Sequence, residues 1–398
     1  MNIPFIDLKT QHKLIRSQVQ ANMDKVLEHG AYVMGPEIKE LEQNLAEFCN
    51  VKHALTCSSG TDALILVLLA LGIKPGDAVL TTPFTFFATA EAIAFIGAVP
   101  VFVDIDPETF NISPDHLSTA IKALKKGRED TYPLPRGGTP SGLGHPTPDS
   151  LVPKAIISVD LFGLPCDYEK IENIARQENL KLIVDAAQSF GATYQQRSTC
   201  SLGHAACTSF FPAKPLGCYG DGGMCFTNDS QTYELLTSFR VHGQGRDRYD
   251  NTRLGMNARM DTLQAAVLLA KMDIFAQELT LREKVAAGYN YLFEQPDSSL
   301  VTPRIYSSAK SAWAQYSLLA RDNEHRQAIF NRLRELQIPW AVYYPVPLHL
   351  QKAFAYLGYQ TGDFPVSENM SERIFSLPMH PYLKKEDQQT IAEAVLSV

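Results

Sequence analysis

Long apolar runs, an excess of basic residues and paired cysteines are what this sequence has little of. The longest strongly apolar stretch runs only from Ala63 to Leu71, far short of the ~20 residues a membrane-spanning helix needs. The opening MNIPFIDLKTQHK lacks the apolar core of a secretory leader. We therefore expect a soluble cytoplasmic protein with no membrane partner. Lys and Arg total 36 against 43 Asp and Glu, a formal charge of −7. A general nucleic-acid binder would carry a basic face, so no such partner is expected. A local basic pocket for a small anion stays possible. The seven cysteines are odd in number and none form a CxxC pair. Zinc-like and thioredoxin-like spacings are thus missing; reduced thiols and no metal are expected. No internal repeat or heptad pattern is visible.

What is present is an ordinary globular composition, 45% apolar and 20% charged over 398 residues. That is enough chain for roughly two to three domains' worth of material and a sizeable core. Helical periodicity runs from His12 to Glu28, and Pro36 suits the first turn of a second helix ending near Phe48. Strand-like segments then alternate with helical ones: HALTC, a helix ending before Gly72, Ala78 to Thr82, Ala88 to Ile96, and VPVFVDID. This alternation implies βαβ units and a mostly parallel sheet. Gly127 to Lys154 interrupts it with five glycines and six prolines in 28 residues. Such a stretch should form neither helix nor interior strand and reads as a surface insertion. The alternation resumes with KAIISVDLFG, a helix over 167–178, LKLIVDAAQ, and strands at 206–211 and 223–227. Two helical patterns follow, 261–275 and 278–293. From about Val301 a smaller α+β unit is expected, with strands WAQYSLLA and VYYPVPLH and helices 325–336 and from 385. We expect a large domain over 1–245, carrying the 127–154 insertion, and connecting helices with a small C-terminal domain over 246–398.

Chemistry concentrates in TSFFPAKPLGCYGDGG, residues 208–223. Lys214 stands between Pro212 and Pro215, ahead of a run of glycines. A lysine can hold an aldehyde cofactor as a Schiff base once its pKa is lowered by desolvation or neighbouring charge. The plainer alternative is a surface lysine in a glycine turn. Twenty-nine positions earlier, Asp185 follows the apolar Leu182, Ile183 and Val184, so it should end a buried strand. A buried carboxylate needs a cation, and a protonated pyridine nitrogen is one that also makes its ring an electron sink. A helix N-cap is the plainer role. Gln188, three residues on, could bond a ring hydroxyl. Ser58, Ser59, Gly60 and Thr61 lead straight into a helix, whose N-terminal amides favour phosphate, or form an ordinary cap. No GKS or GKT follows, so this is not a P-loop. Ser209 is a second possible phosphate donor. Phe84, Phe86 and Phe87 offer a stacking face or simply core.

Taken together, SFFPAKPLGCYGDGG, DAAQSFGA, SSGTDAL, TPFTFFATAEA, GMNARMDTLQAAVL and SLPMHPYL resemble the DegT/DnrJ/EryC1/StrS family of sugar aminotransferases. The resemblance spans nearly the whole chain, and the insertion at 127–154 is its one large departure. It implies the type I aspartate-aminotransferase fold with pyridoxal 5'-phosphate on Lys214. By the same resemblance Gly60, Thr61 and Ser209 hold the phosphate, Phe86 stacks on the ring, Asp185 meets the pyridine nitrogen and Gln188 the ring hydroxyl. Asn257 would reach the neighbouring subunit's cofactor, making a homodimer with shared sites. Arg259, Tyr316 and His349 would face the substrate. Lysine, where dehydratase relatives carry histidine, favours amination. The chain is most similar to the branch acting on UDP-linked 2-acetamido-3-keto hexuronates, with glutamate as donor, in O-antigen and lipopolysaccharide synthesis. Arg240, Arg246 and Arg248 could also meet so anionic a sugar. Another 3-keto or 4-keto UDP- or dTDP-sugar is the alternative, and a non-catalytic regulatory relative a further one.

Overall fold

The computed structural model describes residues 3–136, 151–247, 249–295 and 298–398. Two helices open the chain, α1 (Leu8–His29) and α2 (Pro36–Cys49). The alternating part follows: β1 (His53–Cys57), α3 (Gly60–Ala70), β2 (Ala78–Thr81), α4 (Ala88–Phe95), β3 (Val99–Phe102), α5 (Pro114–Lys126), β4 (Pro153–Val159), α6 (Tyr168–Glu178) and β5 (Lys181–Asp185). Two short strands, β6 (Thr193–Tyr194) and β7 (Arg197–Ser198), precede β8 (Ala205–Ser209), β9 (Gly223–Thr227) and α7 (Ser230–Arg240). The C-terminal part holds α8 (Thr262–Phe293), β10 (Ala309–Lys310), β11 (Tyr316–Leu319), α9 (Asn323–Glu335), α10 (Pro365–Arg373), β12 (Ile374–Leu377) and α11 (Lys385–Leu396).

Seven strands form the main sheet in the order β1-β9-β8-β5-β4-β2-β3. β3, β2, β4, β5 and β8 pair in parallel, whereas β9 runs antiparallel to both β8 and β1. The expected α/β architecture with a mostly parallel sheet is therefore present. The central strands are apolar almost throughout, as strands covered on both faces must be; all four residues of β2 are buried. The parallel pairing brings the carboxyl ends of β4, β5 and β8 side by side, with Val159 opposite Asp185 and Asp185 opposite Cys207. In open α/β sheets this is the edge where ligands bind.

Four expectations change. The two patterns 261–275 and 278–293 are one helix, the 32-residue α8; Ala276 and Gln277 between them carry no breaker. VYYPVPLH is not a strand, because Pro345 and Pro347 cannot donate to a ladder. α5 and β12 add to the elements read from the sequence. α5 bears plain end signals: Ser113 accepts from the His116 amide, Pro114 opens the helix and Gly127 closes it at φ 61°. The insertion is also narrower than its composition implies. Tyr132, Leu134 and Leu151 are buried, and the Arg136 amide donates to Leu357 O at 2.7 Å. Pro153 and Lys154 begin β4, an interior strand, with proline at the one position a strand tolerates. Residues 137–150, the middle of the insertion, lie outside the described residues.

The first half of α8 packs with the sheet, through Ala265, Leu268 and Phe275. Its second half, through Val285, Tyr289 and Phe293, packs with β11, β12, α9 and α11. One rigid helix thus spans two apolar cores. The segment linking β12 to α11 returns to the chain's opening residues, where Met379 N donates to Phe5 O at 3.3 Å. His380 is buried there (2% exposed), and neither ring nitrogen has a hydrogen-bond partner among the described residues. Burial, helped by Arg282 and opposed by Asp7, pushes its pKa down to about 4.

The unfolded histidine titrates near 6.5, so this stabilisation is complete above pH 6.5 and is lost as pH falls toward 4. Between about pH 7.5 and 5 the chain should lose about 2 kcal/mol through this ring alone. Urea unfolding of wild type and His380→Gln at both pH values checks it. The variant should lose less stability on acidification, and equal losses would contradict the account.

Candidate active site

Lys214 lies in the turn that joins β8 to β9. Phe210 N donates to Gly222 O and Cys218 N to Phe210 O, both at 2.8 Å, and Lys214 N donates to Phe211 O at 2.9 Å. The turn closes on Gly217, where a Cβ would stand 2.6 Å from Phe211 O and 2.7 Å from Pro212 O. Only glycine fits that approach. Packed protein around the Lys214 ammonium pushes its pKa down, and the Asp185 charge opposes this.

Asp185 ends β5 and is 5% exposed. Its Oδ2 accepts from Thr89 Oγ1 at 2.9 Å and its Oδ1 from Ala187 N at 3.2 Å. Burial raises its pKa, against these two donors and the Lys214 charge. The two groups thus shift toward one another, as expected of a carboxylate and an ammonium sharing a poorly solvated site. A second buried lysine, Lys271 on α8, has a pKa lowered by burial to about 8. Its charged neighbour is Glu278, and it sits 4.7 Å from the centre of the Tyr219 ring. Nothing pairs it with Asp185.

Gln188 is buried beside this pair. Its Oε1 accepts from Phe162 N at 2.7 Å, and its Nε2 donates to Tyr344 Oη at 3.1 Å. Of the three candidate aromatics, Phe84 is fully buried and Phe87 packs on Phe354 at 5.1 Å. Phe86 alone keeps an open face, 56% exposed, with the Tyr344 ring 6.2 Å away.

The turn before α3 forms the next wall. Ser59 Oγ accepts from Asp62 N at 3.0 Å and caps the helix, and Ser58 Oγ donates to Asp62 Oδ2. Both serine hydroxyls are therefore engaged inside the turn. The first-turn amides of Gly60 and Thr61 keep no intrahelical partner. Gly60 lies against Ser209, where an added Cβ would come within 2.7 Å of the serine Cβ. Gly223 is seated more closely still, its hypothetical Cβ 2.3 Å from Ser59 O. Gly60, Thr61 and Ser209 are thus gathered at one helix N-terminus, where unpartnered amides favour an anion. Ala258 O accepts from Ser58 N at 3.1 Å, tying segment 257–259 to this turn. Asn257 is exposed and Arg259 half-buried.

Three residues expected at the substrate are elsewhere. Tyr316 is fully buried; its Oη donates to Asn290 Oδ1 at 2.7 Å and its ring lies 4.7 Å from that of Tyr289. Every residue of β11 is buried, which makes Tyr316 part of the second core. His349 is 2% exposed, its Nε2 3.0 Å from Glu368 Oε1 and its ring edge-on to Phe364. Its ring is thus held by Glu368 and by Phe364 of the first core. Arg240 is 3% exposed and pairs with Glu42 Oε1 at 2.6 Å, while also donating to Thr56 O at 3.0 Å. It holds β1 from behind. Arg246 is exposed, and Arg248 lies outside the described residues.

Three site residues were not read from the sequence. Thr89 sits inside a run of small apolar residues. Tyr344 sits in a segment mistaken for a strand. Asp160, beyond β4, accepts from Cys166 N (2.9 Å), Tyr168 Oη (2.6 Å) and Ser189 Oγ (2.7 Å), and burial lifts its pKa to about 6. Its own amide donates to Asp185 O at 3.2 Å, so it anchors the loop carrying Gln188 and Ser189.

This arrangement can be set against known proteins. The model of the DegT/DnrJ/EryC1/StrS aminotransferase family matches residues 13–396. The chain belongs to that family. A relative from Pseudomonas aeruginosa, UDP-2-acetamido-2-deoxy-3-oxo-D-glucuronate aminotransferase, is 43% identical over 393 residues, covering 99% of each chain. A crystal structure of a family aminotransferase from Brucella abortus is 42% identical with a TM-score of 0.91, covering 100% of this chain and 99% of that one. NtdA from Bacillus subtilis, solved with bound cofactor PMP, is 26% identical with a TM-score of 0.84, covering 99% of this chain and 82% of that one.

The glycine seats give a stability test for this aminotransferase-family site. Gly223→Ala forces Cβ onto Ser59 O and should cost about 1–3 kcal/mol in denaturant unfolding. Gly220→Ala is the control, because its nearest atom is Gln264 Nε2 at 3.2 Å, on a side chain that can move. Equal stability of the two variants would contradict the tight seat.

Proposed function

We propose that this chain is a pyridoxal-phosphate-dependent aminotransferase that converts a keto nucleotide sugar to an amino sugar. The substrate we favour is a UDP-linked 2-acetamido-3-keto hexuronate, with glutamate as amino donor, feeding O-antigen or related polysaccharide synthesis. The observation that carries the reading is the half-buried Lys214, whose charge acts on the buried Asp185 carboxylate, beside an open phenylalanine and a helix end cleared by Gly60 and Gly223. The donor set suits the cofactor: free helix amides and a serine hydroxyl for a phosphate, a carboxylate for a pyridine nitrogen, an aromatic face and a desolvated lysine.

Bound pyridoxal phosphate would supply an aldehyde and an electron-withdrawing ring that takes up the electrons left when the donor's α-proton departs. Lys214 Nζ, its pKa lowered, would hold the group through that aldehyde and, as a free amine, would carry the α-proton as general base and acid. Asp185 would hold the ring nitrogen's positive charge. Gln188, fixed by Phe162 N and Tyr344, would orient the ring's oxygen side, with Phe86 covering one face. The Gly60 and Thr61 amides and Ser209 would hold the phosphate. A regulatory relative has no need of Lys214, Asp185 and Gln188 together, and this chain keeps all three.

The choice of sugar rests on similarity to the Pseudomonas enzyme and on Arg259, a half-buried cation next to Ala258, whose carbonyl accepts from Ser58 N at 3.1 Å. The exposed Asn257 supports a homodimer in which it reaches the partner's site. A soluble cytoplasmic enzyme fits this role, and no described helix is long and apolar enough to cross a membrane.

Two measurements test the proposal. The cofactor-loaded protein should lose its yellow absorbance with glutamate and regain it with the 3-keto hexuronate; recovery only with a 4-keto sugar would overturn the substrate choice and keep the chemistry. Asn257→Ala should weaken cofactor retention by about tenfold or more, as loss of one bond to a charged group would. Unchanged retention on equilibrium dialysis would contradict a shared site.

A further inference from the structure

We propose that Thr89 is a positioning residue for the reaction, its hydroxyl fixing Asp185 as the anion that faces the cofactor ring. The inference rests on the pyridoxal-phosphate reading above. Thr89 is the second residue of α4 and is 1% exposed. A threonine in a helix ordinarily turns its hydroxyl to the carbonyl four residues back. Thr119, Thr237, Thr280 and Thr390 all do so, at 2.9–3.1 Å. Thr89 does not. Its Oγ1 reaches across to β5 and donates to Asp185 Oδ2 at 2.9 Å. The hydroxyl one turn back, Thr85 Oγ1, stands 3.5 Å away, at the limit of a hydrogen bond.

The surroundings of the carboxylate explain why that bond matters. Ala187 N serves Oδ1 and Thr89 serves Oδ2. An ionised carboxylate has about four acceptor positions, so each oxygen keeps room for a further donor. The groups facing it are the Lys214 ammonium, the Tyr344 phenol and the Cys207 thiol. Burial keeps the phenol and the thiol protonated and neutral. Lys214 is the one cation among these. With the cofactor bound, the ring nitrogen would face Asp185 as a further cation, and the two neutral donors would keep the carboxylate ionised and aimed at it. A hydrogen bond to a charged group is worth more than one between neutral groups. Thr89 is the donor that a side-chain change can remove; Ala187 gives a backbone amide.

The test uses the full chain carrying Thr89→Val, which keeps the shape and removes the donor, and Thr89→Ser, which restores the hydroxyl. Affinity for pyridoxal phosphate is measured by equilibrium dialysis across pH. Below the pKa of Asp185 the carboxylate is protonated and the ring nitrogen loses its partner, so affinity falls on the acid side. Removing Thr89 raises that pKa. The acid limb should therefore move up by about one pH unit in Thr89→Val, a tenfold loss of affinity along that limb, while Thr89→Ser follows wild type. The ¹⁵N shift of a ring-labelled cofactor should move toward the unprotonated form in Thr89→Val alone. A Thr89→Val protein that is less heat-stable yet keeps the wild-type pH profile and ¹⁵N shift overturns the inference, leaving Thr89 a packing residue. Wild type that fails to bind pyridoxal phosphate, or Asp185→Asn that titrates like wild type, overturns the parent reading and this inference with it.

Discussion

A buried carboxylate and a half-buried ammonium that feels its charge set the terms for the rest of this structure. Either alone would be expensive to bury. Burial pushes Asp185 up and Lys214 down, and each partly restores the other. The pair exists because parallel strands end together: β5 delivers Asp185, and β8 leads into the turn bearing Lys214. The antiparallel β9 then carries the chain back from that turn. A sheet that buries both faces supplies the low dielectric, and its carboxyl edge supplies the opening.

Close packing of glycines does the remaining shaping. Gly217 lets the lysine turn fold onto itself, Gly60 lets α3 approach Ser209, and Gly223 lets β9 approach Ser59. Behind this surface lies a layer of polar groups bonded to one another. Arg240 with Glu42 and Thr56 holds β1, Asp160 with Ser189 holds the loop after β5, and Glu368 with His349 and the Gly362 amide holds the C-terminal approach. These partners keep a mobile-looking set of loop ends in one geometry, which a site acting on a bound ring requires.

The sheet and the lysine–aspartate pair were legible in the sequence because short-range patterns encode both. Apolar strands alternating with helices give the βαβ order, and Lys214 announces itself through flanking prolines and glycines. Gly60, Ser209 and Phe86 came with the family motifs; Gly60 lies against Ser209 and Phe86 keeps an open face. Tyr316, His349 and Arg240 did not behave as substrate contacts, because their direction depends on packing between distant segments. A tyrosine on β11 faces the second core, and an arginine at the end of α7 turns inward to Glu42, 198 residues earlier. Thr89 and Tyr344 were hidden for the same reason: what matters is the long-range partner each meets, Asp185 in one case and Gln188 in the other.

Lys214, half-buried, and Lys271, buried, both have lowered pKa values, so the choice between them tests the account most directly. The protein is loaded with pyridoxal phosphate, reduced with borohydride, digested, and the modified peptide identified by mass. The account requires the added mass on Lys214, with Lys271 unmodified. Modification of Lys271, or no stable adduct at all, would contradict it.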